Sequence, residues 1–221
     1  MGLALFDLDH TLLDVNSGAL WVRYEWRMGR IGLRDVAWAG WWLSRYSLGL
    51  GAGLEAVFEA AVRGLAGSSE AELERRVRQW FEAEIQGRLR PGGAAALSSH
   101  RDAGDRLVLA TSSTQFAARA AADAFGLEPG VCTDLEVLDG ALSGRIATLA
   151  IGSAKARAAE AWAEAHDQDL GEATFYSDSM TDLALLERVG TPVVVNPDRR
   201  LRREAARRGW PVQDWGVATP P

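Results

Sequence analysis

The chain has 221 residues, room at roughly 100–200 residues per domain for one domain with a sizeable insertion or for two small ones. Hydrophobic residues at 48% and charged residues at 24% exclude disordered, collagenous and disulfide-scaffold classes. A net charge of −6 argues against a nucleic-acid binder, which ordinarily presents a basic face, and the single cysteine, Cys132, excludes an intramolecular disulfide and a cysteine-rich zinc site.

The first element is a short apolar run, Leu3-Ala4-Leu5-Phe6, ending in Asp7-Leu8-Asp9, the pattern of a fully buried strand with polar groups at its carboxyl end. No basic signal-like segment precedes it, and together with the lone cysteine this fits a cytoplasmic protein. From Asp14 to Arg88 the strand pattern gives way to four helical segments, 17–30, 33–48, 54–65 and 69–85, with turn-forming residues at entry and at exit around Pro91. The most apolar part, 36–50, is interrupted by Arg45 and falls short of the roughly 20 apolar residues of a membrane-spanning helix.

After residue 88, strands and helices alternate. Apolar runs at 106–110, 173–176 and 192–195 each end in polar residues, and helical patterns at 94–103, 115–125, 155–165 and 182–189 separate them. Residues 132–146 read as a hairpin about the Asp139-Gly140 turn, projecting beside the strand ends. The alternation predicts an α/β fold, a parallel sheet covered on both faces with its ligand site at the carboxyl edge. The domains then run 1–13 with 89–221 as the α/β core, and 14–88 as a helical cap over that edge. The end of the chain, from Ala218, reads as a frayed tail.

Asp7 and Asp9 flank Leu8 on an extended backbone, so both carboxylates can face one site. Two such anions repel unless a cation lies between them, which asks for a hard divalent metal such as Mg²⁺. Thr111 adds a hydroxyl, Lys155, the only lysine, adds an ammonium on the first turn of a helix, and Asp178 with Asp182 adds a second acidic pair. Hydroxyl, ammonium, carboxylates and metal together suit a site that neutralises a phosphate and sets a nucleophile in line with its phosphorus.

These residues carry a resemblance to the haloacid dehalogenase (HAD) superfamily of aspartate-nucleophile phosphatases. Phe6-Asp7-Leu8-Asp9-His10-Thr11-Leu12 is similar to the first motif, Leu109-Ala110-Thr111-Ser112-Ser113 to the second, Gly152-Ser153-Ala154-Lys155 to the third and Tyr176-Ser177-Asp178-Ser179-Met180-Thr181-Asp182 to the fourth. The insert resembles the type 1 cap of the phosphoserine-phosphatase-like branch (subfamily IB), and Val195-Asn196-Pro197-Asp198 through Gly209-Trp210-Pro211 resembles that branch's carboxyl end. The resemblance implies a modified Rossmann-like core. It implies Asp7 as nucleophile and Asp9 as the acid that protonates the leaving oxygen and then activates water. Mg²⁺ would be held by Asp7, the Asp9 carbonyl and Asp178, while Thr111, Ser112 and Lys155 would bind phosphoryl oxygens, and Asp182 would orient Lys155 or a metal-bound water. Asn16 stands where the phosphoserine branch carries a glutamate for the substrate amine, and a neutral amide cannot pair an ammonium in the same way.

The expected activity is a Mg²⁺-dependent phosphomonoester phosphatase acting on a small organic phosphate. A phosphotransferase or phosphomutase would keep the same motifs, and a receiver-like phosphate-binding protein would need no acid at Asp9. Five of nine tryptophans, Trp21, Trp26, Trp38, Trp41 and Trp42, fall in the first part of the insert, with Tyr24, Tyr46 and Phe58 nearby. Packing is the first reading of this cluster. An apolar pocket, a rim touching a membrane surface and a homodimer surface stay open. His10 follows the acid and could pack against the cap or meet the leaving group. His100 and His166 read as surface residues, Cys132 as a buried small hydrophobe, and the arginines between Arg199 and Arg208 as a solvated helix face.

Overall fold

The computed structural model describes residues 2–33, 37 and 54–218. The helix expected over 33–48 lies almost wholly outside these residues, as do Trp38, Trp41, Trp42 and Tyr46.

Seven strands form one sheet in the order β4-β3-β2-β1-β5-β6-β7. They are β1 (Leu3–Phe6), β2 (Arg106–Thr114), β3 (Glu128–Leu138), β4 (Ala141–Thr148), β5 (Thr174–Ser177), β6 (Thr191–Val195) and β7 (Val212–Gln213). All neighbours pair in parallel except β3 and β4. Every residue of β1 is buried, as the unbroken apolar run requires of a central parallel strand. Its side chains alternate between two cores: Ala4 and Phe6 join one, Leu3 and Leu5 the other.

Helices cover both faces. On the Phe6 side pack α4 (Pro91–Asp102), through Leu97, and α5 (Gln115–Phe125), through Phe116, Ala118 and Phe125. On the Leu5 side pack α6 (Ser153–Ala165), the short α7 (Leu183–Leu186) and α8 (Arg199–Arg208). Leu201 and Ala205 turn the apolar side of α8 inward while its arginines face out, Arg207 and Arg208 both pairing with Glu204. That is the solvated face the sequence suggests.

Between β1 and β2 run α1 (Ser17–Arg27), α2 (Leu54–Arg63) and α3 (Glu70–Trp80), the last continuing through a wider turn over Phe81–Ile85. Asn16 Oδ1 accepts the Ala19 N–H to cap α1, and Ser69 caps α3 with Glu70 and Glu72 in its first turn, an arrangement that satisfies orphan N–H groups and favours the helix dipole. The insert enters and leaves through a narrow neck. Leu13 bridges Leu89 antiparallel, Asp14 N–H donates to the Arg88 carbonyl at 3.2 Å, and Arg90 N–H to the Leu12 carbonyl at 2.8 Å. Trp21 stands edge-on to Trp80 at 5.2 Å and beside Tyr24 at 5.7 Å, and with Phe58 these rings join the larger core. For them the packing reading holds. Trp26, in contrast, is 47% exposed.

The hairpin forms about Asp139 and Gly140, both with positive φ, as a two-residue turn of its type requires. It also grips the insert. Gly67 N–H donates to the Leu142 carbonyl, and Glu70 N–H to the Gly140 carbonyl. Gly144 lies so close to the insert that a Cβ there would sit 2.9 Å from Ala66 Cβ.

Two expectations are corrected. His100 is half-buried rather than on the surface: its Nδ1 lies 2.8 Å from Asp105 Oδ2 and its Nε2 2.9 Å from the Tyr176 hydroxyl. Tyr176 comes from a strand 76 positions on and Asp105 from the turn that follows the helix, neither of which a helical surface pattern reveals. Of the tail expected over 218–221, only Ala218 lies within the described residues, and there the expectation of fraying fails. Ala218 is buried and its N–H donates to Asp14 Oδ2 at 3.0 Å. His166 is exposed as expected. Cys132 is half-buried, its thiol pushed up to about 12 by burial and the neighbouring Asp134 carboxylate.

Candidate active site

The carboxyl ends of β1, β2 and β5 meet the first turn of α6. β1 lies between β2 and β5, so Asp7, one residue beyond it, sits at the centre of the edge, its N–H donating to the Tyr176 carbonyl of β5 at 3.0 Å. Two wide backbone bonds follow, Leu12 N–H to the Asp7 carbonyl and Leu13 N–H to the Leu8 carbonyl. Within this loop Asp9 is extended and His10 takes a left-handed conformation with φ 59°, uncommon for a residue other than glycine.

Lys155 is 1% exposed. Its ammonium donates to Asp7 Oδ1 and Asp182 Oδ2, each at 2.8 Å. Ser177 Oγ also donates to Asp182 Oδ2 at 2.8 Å. Thr11, fully buried, accepts the Asp178 N–H at 3.0 Å, and its hydroxyl lies 3.2 Å from Asp178 Oδ1 and 3.4 Å from Asp7 Oδ2. Thr111 is buried in the second half of β2 and accepts the Ser113 N–H at 3.1 Å. Ser112 follows it, with its carbonyl taken by the Thr133 hydroxyl. The Asp9 carboxylate points to the start of α1 and accepts the Ser17 N–H at 2.8 Å.

The fold thus brings Asp7, Asp178, Asp182 and Lys155 into one bonded cluster, with Thr111 and Asp9 on the same edge. Asn16 is occupied at its Oδ1 by the α1 cap. Thr11 and Ser177, not singled out from the sequence as site residues, join the cluster directly. Their signal was position, each lying within two residues of a motif aspartate.

Burial pushes Asp7 up to about 7, with Lys155 opposing and the Asp182 carboxylate adding to the rise. Asp178 is raised well above the ordinary range by burial and by the charges of Asp7 and Asp182. Asp9 is raised by burial, the Ser17 hydrogen bonds opposing. Burial pulls the Lys155 ammonium down, but the Asp182 and Asp7 carboxylates more than reverse this and hold it above its ordinary value. Lys155 is therefore a cation, set among more negative charge than it can balance alone.

That surplus, with an orphaned buried acceptor beside it, suits a cation. Asp182 Oδ1 is buried and has no hydrogen-bond partner among the described residues. Among those residues no three His, Cys, Asp or Glu side chains gather about one point, so a cage built of side chains alone is not what the fold offers. The Asp7 and Asp178 carboxylates, joined through the Thr11 hydroxyl, instead fit a hard, oxygen-seeking divalent cation whose shell water and a ligand oxygen would complete.

An open parallel sheet with a carboxylate and lysine cluster on its carboxyl edge is the frame of an α/β enzyme acting on an anionic ligand. The sequence model of the haloacid dehalogenase-like hydrolase family matches residues 4–187. The chain belongs to that family, and within it is a phosphoserine-phosphatase-like phosphoric monoester hydrolase. It is 32% identical to a histidinol-phosphatase of Neisseria meningitidis over 95% of this chain and 97% of that protein. It is 31% identical to the phosphoserine phosphatase SerB1 of Mycobacterium tuberculosis over 97% of this chain and 71% of that one. A crystal structure of a protein of unknown function from Bordetella pertussis superposes with TM-score 0.86 at 35% identity, over 97% of this chain and 98% of the other. A phosphoserine phosphatase crystal structure at 16% identity shares the fold, with TM-score 0.63 over 92% of this chain and 90% of the other. No helix among the described residues is long and apolar enough to cross a membrane.

Proposed function

We propose that this hydrolase is a Mg²⁺-dependent phosphatase of small organic phosphomonoesters that works through an aspartyl-phosphate on Asp7. The observation that carries the reading is the Lys155 ammonium, buried between Asp7 and Asp182 while Thr11 ties Asp178 to the same point. Such a cluster is expensive to bury and suits a dianionic group arriving with a divalent cation. Asp7, the Asp9 carbonyl and Asp178 would hold the ion, which when bound would neutralise phosphoryl charge and keep Asp7 ionised.

In this mechanism an Asp7 oxygen attacks phosphorus while the bond to the leaving alkoxide breaks, and the alkoxide takes a proton from Asp9. Burial raises the Asp9 carboxyl above its ordinary value, the direction a proton donor requires. Asp9 then takes a proton from water, whose oxygen attacks phosphorus and frees Asp7 and inorganic phosphate. Lys155, the Thr111 hydroxyl and Ser112 hold phosphoryl oxygens as charge builds on them, and Asp182 aims Lys155. We assign 1–13 and 89–221 to the catalytic core and 14–88 to a cap that excludes water and reads the leaving group, with Asn16 facing it at the base of α1. The enzyme is taken as cytoplasmic.

The relatives point the choice of substrates toward histidinol phosphate and phosphoserine. Phosphate release is measured across these two, sugar phosphates and lysophosphatidate, with Mg²⁺, using Asp7→Asn as the blank. The expected result is turnover of at least one ester that vanishes in Asp7→Asn while its circular dichroism is unchanged. Turnover surviving in folded Asp7→Asn removes the nucleophile assignment, and silence on every ester removes the phosphatase reading.

A further inference from the structure

The loop bearing Asp7 and Asp9 is held by a segment from the far end of the chain. Arg90, on the return side of the neck, is buried. Its Nε lies 3.2 Å from both the His10 and the Leu13 carbonyls, its own N–H donates to Leu12 at 2.8 Å, and its Nη1 donates to the Gly216 carbonyl. One side chain thereby ties the left-handed turn after Asp9, the neck and residues 214–218 together. A second tie is independent of the first. Asp14 Oδ1 lies 2.9 Å from Arg88 Nε, and its Oδ2 accepts the Ala218 N–H.

Residues 214–218 are themselves firmly seated. Asn196 Oδ1 accepts the Trp215 N–H at 3.0 Å, Asp214 Oδ1 accepts the Gly216 N–H at 2.9 Å, and the Trp215 carbonyl accepts the Gly92 N–H at 3.0 Å. The Trp215 ring is buried beside Tyr176, centroids 5.1 Å apart, and lies so close to α4 that a Cβ at Gly92 would fall 2.5 Å from it. Nothing in the proposed reaction uses these groups, yet they anchor the backbone that aims its two carboxylates.

We propose that Arg90 is a positioning residue for the loop from Asp7 to Asp14, and that residues 214–218 form a strap holding Arg90 and the neck in register. The kinetic consequence rests on the phosphatase reading; the mechanical coupling does not. Held loosely, the peptide at His10 loses its clamp, and Asp9 moves relative to Asp7 while the phosphate-binding groups stay in place. The loss then falls on kcat rather than on KM.

The test uses the full chain. Arg90→Lys keeps the charge but loses the fork that spans the two sides, with Arg90→Gln as the substitute if the lysine variant does not fold. Gly92→Ala pushes the strap from the α4 side without touching the loop. Hydrogen exchange is read over 8–17 and 212–218, with kcat and KM on p-nitrophenyl phosphate. The expected outcome is faster exchange in both segments for either variant, and kcat lowered about tenfold with KM within about twofold, as small misplacement of reacting groups produces. Unchanged exchange over 8–17 in either folded variant overturns the proposal, and equal losses through KM overturn the positioning role. If the wild-type chain hydrolyses no phosphomonoester, the phosphatase reading fails while the exchange arm still decides the strap.

Discussion

Replacing Lys155 by methionine removes the buried ammonium at nearly constant length. Asp7 and Asp182 each lose a bond of 2.8 Å to it and are left facing one another and Asp178 away from water. Breaking a buried pair by removing one partner costs about 3–5 kcal/mol, and in a chain of this size each kcal/mol lowers the melting temperature by about 2–4 °C. The expected drop at pH 8.5 in EDTA is therefore about 10 °C. The deficit has a pH signature. Asp7 is held at about 7 even beside Lys155, so without the ammonium it binds its proton more tightly still. A carboxyl raised in the folded state stabilises that state below its unfolded value of about 4 and loses this contribution as pH rises through its folded value. The variant accordingly recovers most of its deficit between pH 8.5 and pH 5.5. Differential scanning calorimetry at the two pH values is the assay. A melting temperature within about 2 °C of wild type at pH 8.5, or equal drops at both values, would refute the account of the cluster.

Three further outcomes follow from the same geometry. Thr11→Val removes the hydroxyl lying between Asp178 and Asp7, so the Mg²⁺ concentration for half-maximal phosphate release should rise about 10–100-fold; an unchanged Mg²⁺ titration would mean that Thr11 does not shape the ion site. Asp9→Asn should slow alkyl phosphates far more than p-nitrophenyl phosphate, whose leaving group needs no proton, and equal losses on both would count against the acid role. Asp105 is held below the usual carboxylate range by the His100 ring, with the Gly2 N–H assisting. Such a depressed group stabilises the fold above its unfolded value of about 4 and loses that contribution as pH falls through its folded value. Asp105→Asn should therefore lower the melting temperature at pH 7 but not at about pH 2.5, and a pH-independent difference would show that His100 and Asp105 are not linked as drawn.

The core was legible because its signals are local. Each parallel strand is an apolar run ending in polar residues, and the strand order then places those ends side by side, so Asp7, Thr111 and Asp178 could be read as neighbours before any coordinate was known. The Asp139-Gly140 turn likewise announces its hairpin. What stayed hidden depends on partners remote in sequence. His100 reads as a surface helix residue until the Tyr176 hydroxyl and Asp105 are placed against it. Nor does any pattern in Asp214 to Ala218 foretell that Asn196, Arg90 and Asp14 bind their backbone. Thr11 and Ser177 are short polar residues next to aspartates, and such residues serve caps and turns as readily as active sites.

The placement of Asp7 on a central strand has a consequence for synthesis. Its partners are made long after it: Lys155 is 148 positions away, and Asp178 lies 167 positions from Thr11. At about 5–20 residues per second, a ribosome needs on the order of 10–30 s to supply them. During that interval β1 has neither of its flanking strands at first and then only β2, so an edge that will end in the middle of the sheet remains open to other chains. A nascent or cleaved chain that stops before β5 consequently holds Asp7 with neither Asp178 nor Asp182 beside it. The interval in which this protein can misassemble is the same interval in which its carboxylate and lysine cluster is incomplete.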